Sequence, residues 1–167
     1  MLMKPLTERD IRTAFVNCTK GEAKRMAVPH DLAERPWEEL DYFGWRDPQA
    51  PDRGYLVIEL DGRLQGLALR CSGAVSGRQR RSMCSLCLTT HAGGVSLMVA
   101  PKAGRPGKQG NSVGAYICAG LDCSLYVRGR KTADAGSRLH ETLTVEEKIE
   151  RTVLNVAAFV AKVTADA

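Results

Sequence analysis

Large aromatic side chains are scarce, nine in 167 residues, and only Tyr116 and Tyr126 fall in the basic middle of the chain. That is too few for a base-stacking platform of the kind single-stranded nucleic acids need. No stretch approaches the ~18 consecutive apolar residues of a membrane span, and Met1-Leu-Met-Lys-Pro5 has no apolar core of a secretory leader. A cytoplasmic protein with no membrane partner is the expectation. Catalytic signatures are also missing. There is no nucleophile elbow and no H-E-x-x-H, and Gly110-Asn-Ser-Val-Gly114 lacks the lysine of a phosphate-binding loop. The sequence therefore predicts no enzyme and no small-molecule substrate. Of the three histidines, His30 and His140 have no acidic or thiol neighbour in sequence and read as surface residues.

What is present is a set of paired cysteines. Cys84 and Cys87 form a C-x-x-C, and Cys118 and Cys123 form a wider pair thirty residues later. Two thiolate pairs on two short turns make a sulfur-only tetrahedral cage, which suits zinc with bonds of about 2.3 Å. All four positions are filled by protein, so the expected metal is one structural zinc with no open site to activate water. His91, four residues after Cys87, could replace one thiolate, but with four cysteines present it reads as a surface residue or as a hydrogen-bond partner of a sulfur. A redox role for Cys84 and Cys87 is disfavoured, because such a motif opens a helix after a strand and needs no second pair. Cys18 and Cys71 read as free thiols.

Charge is segregated as well. From Arg70 to Lys131 the chain carries ten Lys/Arg and one acid, Asp122, a net of +9 against +5 for the whole. Such a field favours an anionic partner, either RNA or an acidic protein surface.

The pattern of elements predicts an α+β fold: a helical N-terminal part and a C-terminal helix around a small antiparallel sheet. Thr7 and Asp10 fit a capping box at the head of a helix running, with a break near Gly21, to Met26. Pro36-Trp-Glu-Glu-Leu40 looks like a short helix with proline at its first position. Trp37, Tyr42, Phe43 and Trp45 read as core of a small N-terminal unit. Tyr55–Leu60 and Arg63–Arg70 flank Asp61-Gly62, a hairpin signal. Val95–Ala100 and Val113–Cys118 read as strands, Pro101–Asn111 as a flexible basic loop, and Asp122–Arg130 as the start of a short helix. Thr144-Val-Glu-Glu147 fits a second capping box, followed by a seam of Ile149, Val153, Val156, Val160 and Val163. The two capped helices are expected to pack on each other or in one helical core. The segments anticipated are 1–52, helical; 53–135, hairpin and finger; and 136–167, the amphipathic helix. A knuckle, a hairpin and a helix supplying the last ligand make a treble clef.

Arg81-Ser-Met-Cys-Ser-Leu-Cys-Leu-Thr-Thr-His91, Gly110-Asn-Ser-Val-Gly-Ala-Tyr-Ile-Cys118 and Asp122-Cys-Ser-Leu-Tyr-Val127 resemble the treble-clef finger of elongation-factor-G-binding proteins, the FusB-type fusidic-acid-resistance family. The resemblance implies that the finger binds elongation factor G and helps it leave the ribosome. It carries over Cys84, Cys87, Cys118 and Cys123 as zinc ligands and Tyr116 as a partner contact. Leu86, Arg80, Arg81, Lys108 and Asn111 are the other contact candidates. Resistance proteins carry an aromatic in the first knuckle, where this chain has Ser85 and Leu86, and a basic residue where it has Val113 and Gly114. The basic loops Arg78–Arg81 and Lys102–Lys108 are the segments that would compensate. The second reading is an RNA- or ribosome-binding zinc protein with no translation-factor partner.

Overall fold

Side-chain alternation along the strands sorts this chain into two layers. The computed structural model describes residues 3–72, 81–133 and 141–167. Its strands are Phe43–Asp47 (β1), Ala50–Leu60 (β2), Arg63–Cys71 (β3), Arg81–Met83 (β4), Thr90–Ala92 (β5), Val95–Pro101 (β6) and Ser112–Cys118 (β7). Five of them form one antiparallel sheet in the order β1-β2-β3-β6-β7, while β4 and β5 make a separate hairpin. In β2, Tyr55 and Val57 point to one face and Leu56 and Ile58 to the other, and all four are buried. Both faces are therefore covered, which is why β2 reads as an unbroken apolar run rather than an alternating one. Asp61 and Gly62 both take positive φ, 51° and 76°, as the two-residue turn between β2 and β3 requires.

One face carries the N-terminal segment. Its helices are short: Glu8–Arg12 (α1) and Lys20–Arg25 (α2), each opened by a reciprocal threonine–acid capping box. The helix expected to run from Thr7 to a break near Gly21 stops at Arg12. Ala14 O and Val16 N bond instead to Gly66 of β3 at 2.9 Å each, with the Phe15 ring lying where a side chain at Gly66 would be. Long-range backbone pairing thus outcompetes the local helical pattern. Arg12 then ties the two helices together, donating to the carbonyls of Ala23, Lys24 and Met26 at the end of α2. The Pro36 segment forms only a 3-10 turn, Trp37–Glu39, with the proline outside it. Phe43 and Trp45 belong to β1, and a ladder of rings runs Trp37, Phe43, Trp45, Tyr55 with centroids 4.9 to 5.2 Å apart. The sheet begins at Phe43 and β2 passes through residue 52, so strands reach into the segment expected to be helical.

The other face carries Arg105–Lys108 (α3), Cys123–Val127 (α4) and Val145–Thr164 (α5), of which α4 and α5 enclose the cysteines. The first four-residue helix interrupts the loop read as flexible, whose base is closed by Lys102 N donating to Asn111 O. The Thr144 capping box forms with Glu147. Val156, Val160 and Val163 are buried as the seam predicts, and Thr152 and Phe159 join them. They share a core with the sheet and the cysteines, whereas Ile11, Ala23 and Met26 lie in the core on the opposite face. The expected packing of the first and last helices on each other, or in one helical core, is thus corrected. The sheet lies between them.

Candidate metal centre

Each cysteine pair is held by a turn that aims its sulfurs inward. Cys84 and Cys87 sit between β4 and β5, where Ser82 pairs with His91. The turn closes with Cys84 N bonded to Thr89 O at 3.0 Å and Leu88 N to Cys84 O at 2.9 Å. Leu88 takes φ +60°, a left-handed conformation uncommon for leucine. The second turn repeats the device. Cys118 ends β7, Leu121 N donates to Cys118 O at 2.8 Å, Leu121 takes φ +56°, and Cys123 opens α4. A finger of this kind, two knuckles with a hairpin and a helix, is a treble clef.

The four sulfurs are buried and lie within 4.8 Å of one another. Cys84 and Cys123 are 3.6 Å apart, and Cys87 and Cys118 are 3.5 Å apart. Disulfides require about 2.05 Å. A tetrahedral zinc with 2.3 Å bonds requires roughly 3.8 Å between sulfurs, so the cage fits a metal. The thiol chemistry agrees. Hydrogen bonds from Cys118, Cys123 and Cys87 hold the Cys84 thiol far below its ordinary value, while burial pushes Cys123 well above its own. Without a cation the four cannot all ionise together; a bound zinc lets every one of them do so. The centre is that of a single structural zinc, closed to water.

The surrounding shell supplies donors. The amides of Leu86, Cys87 and Cys118 point at Cys84 Sγ from 3.3, 3.5 and 3.4 Å. His91 is buried with Nε2 3.4 Å from Cys118 Sγ, the sulfur-partner alternative rather than the surface one. Its ring stands edge-on to Tyr126 at 4.7 Å, and a Cβ on Gly94 would come within 2.5 Å of His91 Nδ1. Thr89 Oγ1 lies 3.2 Å from Cys87 Sγ. From α5, Asn155 Nδ2 donates to Leu86 O at 2.9 Å. Beside Cys123, Arg128 holds the buried Asp41 by two bonds of 2.7 and 2.9 Å, and Ser124 Oγ accepts from Asp41 N at 3.0 Å. No spacing rule connects Tyr42, Asp41 or Asn155 to the cysteines, so they were not candidates in the sequence.

The contact candidates are dispersed. Tyr116 is 48 % exposed on β7, an edge strand of the sheet, and its carbonyl accepts from Ser85 N of the first knuckle at 2.7 Å. Lys108 and Asn111 are exposed beside the other end of β7, roughly 16 Å away at 3.3 Å per residue. Arg81 opens β4 opposite Ala92, and Arg80 lies outside the described residues. Leu86 requires correction as a contact. It is 2 % exposed in the core shared by the cysteines and α5, which leaves its side chain almost no surface to offer a partner.

Among curated proteins none matches the sequence. A solved structure titled "Structure of the fusidic acid resistance protein FusC" is similar at 17 % identity with a TM-score of 0.49, covering 84 % of this chain. The chain spans 53 % of the length of that structure. The family of the FBP C-terminal treble-clef zinc-finger matches residues 10–163, finger and sheet together. By that match and by its cage of four cysteines, the chain belongs to the FBP C-terminal treble-clef zinc-finger family.

Proposed function

We propose that this protein binds translation elongation factor G through the exposed strand β7 and the first knuckle of its finger, and promotes release of the factor from the ribosome. The observation that carries the reading is Tyr116. A large ring nearly half exposed on a sheet edge, braced by a zinc knuckle, is a rigid anchor of the kind that dominates protein interfaces. Lys108, exposed beside the far end of β7, supplies positive charge toward the rim, suited to an acidic partner. The zinc orders this edge and takes no part in chemistry.

A non-catalytic role in the cytoplasm is part of the same proposal. A cleft of about 230 Å³ beside α2 contains Cys18, but burial pushes that thiol up to about 11, so it is not a nucleophile at neutral pH. Among the described residues no helix is long and apolar enough to cross a membrane.

Titration calorimetry against purified elongation factor G, at low and at physiological salt, tests the reading. Tyr116→Ala is expected to weaken binding about thirtyfold, corresponding to an anchor worth ~2 kcal/mol. Charge reversal at Lys108 should slow association and flatten its salt dependence. No detectable binding at either salt, with tight binding to ribosomal RNA, would replace the proposal by the RNA-binding alternative.

A further inference from the structure

Among the described residues, three buried side-chain polar atoms complete no hydrogen bond: Tyr42 Oη, Thr90 Oγ1 and Arg151 Nε. All three belong to elements around the finger. Thr90 opens β5 directly after the first knuckle. Arg151 lies on α5, where its two terminal nitrogens hold Glu141. Tyr42 is fully enclosed in the core that contains the four cysteines, and its chain neighbour is bonded to that of Cys123, Asp41 N to Ser124 Oγ at 3.0 Å. An orphaned buried hydroxyl costs about 1–3 kcal/mol. That cost disappears if the true acceptor is a thiolate, which the cluster acquires on binding metal.

The acceptor side shows the same gap. Zinc with four thiolates carries two net negative charges in a buried site, and each sulfur needs donors. Cys84 receives the three amides of Leu86, Cys87 and Cys118. Cys118 faces His91, and Cys87 faces Thr89. None of those three amides serves Cys123, whose sulfur makes its 3.6 Å contact with Cys84.

We propose that Tyr42 donates its hydroxyl proton in a hydrogen bond to the zinc-bound Cys123 thiolate, as a positioning residue of the metal centre supplied from outside the finger. The neighbouring clamp holds it there. Asp41, adjacent in sequence, is fixed by Arg128 and Ser124, and both of these belong to α4 or its cap, the helix that Cys123 begins. Residues 41–42 and 123–128 are therefore tied together, which keeps the hydroxyl in the core beside the cysteines. Zinc occupancy is thereby felt at the start of β1, about forty residues upstream of Cys84.

The test is Tyr42→Phe in the full chain, which removes one oxygen and leaves the ring. Zinc affinity measured by competition with a chromogenic chelator should fall ten- to a hundredfold. The thiolate-to-cobalt charge-transfer bands of the cobalt(II) form should move to lower energy, because a thiolate that loses a donor is easier to oxidise. The metal-free variant should melt no lower than the metal-free wild type, since the orphaned hydroxyl is gone. A role in core packing alone would leave affinity within about twofold and the cobalt spectrum unmoved, and that result overturns the proposal. A metal-free variant that melts well below wild type, with equal metal affinity, overturns it equally.

Discussion

Replacing Arg128 by methionine tests how the finger is joined to the sheet. The Asp41 side chain is fully buried, and Arg128 is only 13 % exposed. The two guanidinium bonds, 2.7 and 2.9 Å, are the hydrogen bonds made by that carboxylate. Arg128→Met keeps the aliphatic length of the side chain and strands a buried negative charge. Breaking one side of such a pair costs about 3–5 kcal/mol. Domains of this kind have about 5–15 kcal/mol in total. At roughly 2–4 °C per kcal/mol for a chain of this size, the melting temperature should fall by about 10 °C. The double variant Asp41→Leu/Arg128→Met removes both charges, and should recover most of the loss. Calorimetry of the zinc-saturated proteins at neutral pH measures all four corners of the cycle. A single variant melting within about 2 °C of wild type, or a double variant less stable than the single, would refute the reasoning.

Two further outcomes are expected. Val156→Asp places a charge at a position 1 % exposed in the core shared by α5 and the cysteines, and should lower the melting temperature by at least 5 °C in a thermal scan. Glu141, whose carboxyl Arg151 holds below its ordinary value near 4.5, contributes stability that is full above that value and is lost as pH falls through the depressed one. The urea midpoints of wild type and Glu141→Gln should therefore differ near neutral pH, by under about 1 kcal/mol for this partly exposed pair. They should converge as the solution is acidified below pH 4.

Where an element was legible in the sequence, its signal was local and complete. Thr144 and Glu147 are three residues apart and satisfy each other's neighbours without help from elsewhere, and the box forms. Asp61-Gly62 needs only two residues able to take positive φ. The illegible parts are those decided by distant partners. The first helix looked continuous because Ile11, Phe15 and Cys18 share a stripe, but Phe15 lies against Gly66, fifty-one residues away. Beside it, Thr19 and Glu22 form a second capping box that marks a new helix, a signal present in the sequence and overlooked. Phe43 and Trp45 alternate with Gly44 and Arg46, the period of a strand. Closely spaced aromatics are equally at home in any packed core, so that period is masked.

The metal centre divides the same way, and the division has a physical origin. A metal fixes its ligands through bond lengths of a few ångströms, so ligands come in pairs on tight turns, and tight turns leave a spacing in the sequence. Cys84, Cys87, Cys118 and Cys123 are legible for that reason. A hydrogen-bond donor to a ligand answers to no such rule. It needs only a buried position at the right depth, which any neighbouring strand or helix can offer. His91 stood near enough to Cys87 to be considered, but Tyr42 shares the core of the same cage from far upstream in sequence, and Asn155 reaches the knuckle from α5. Leu86 shows the converse. Its place in the first knuckle made it a contact candidate, whereas its side chain is buried in the core. With that position turned inward, Tyr116 on the edge strand is the ring that the finger exposes among the described residues, and the proposed recognition rests on it.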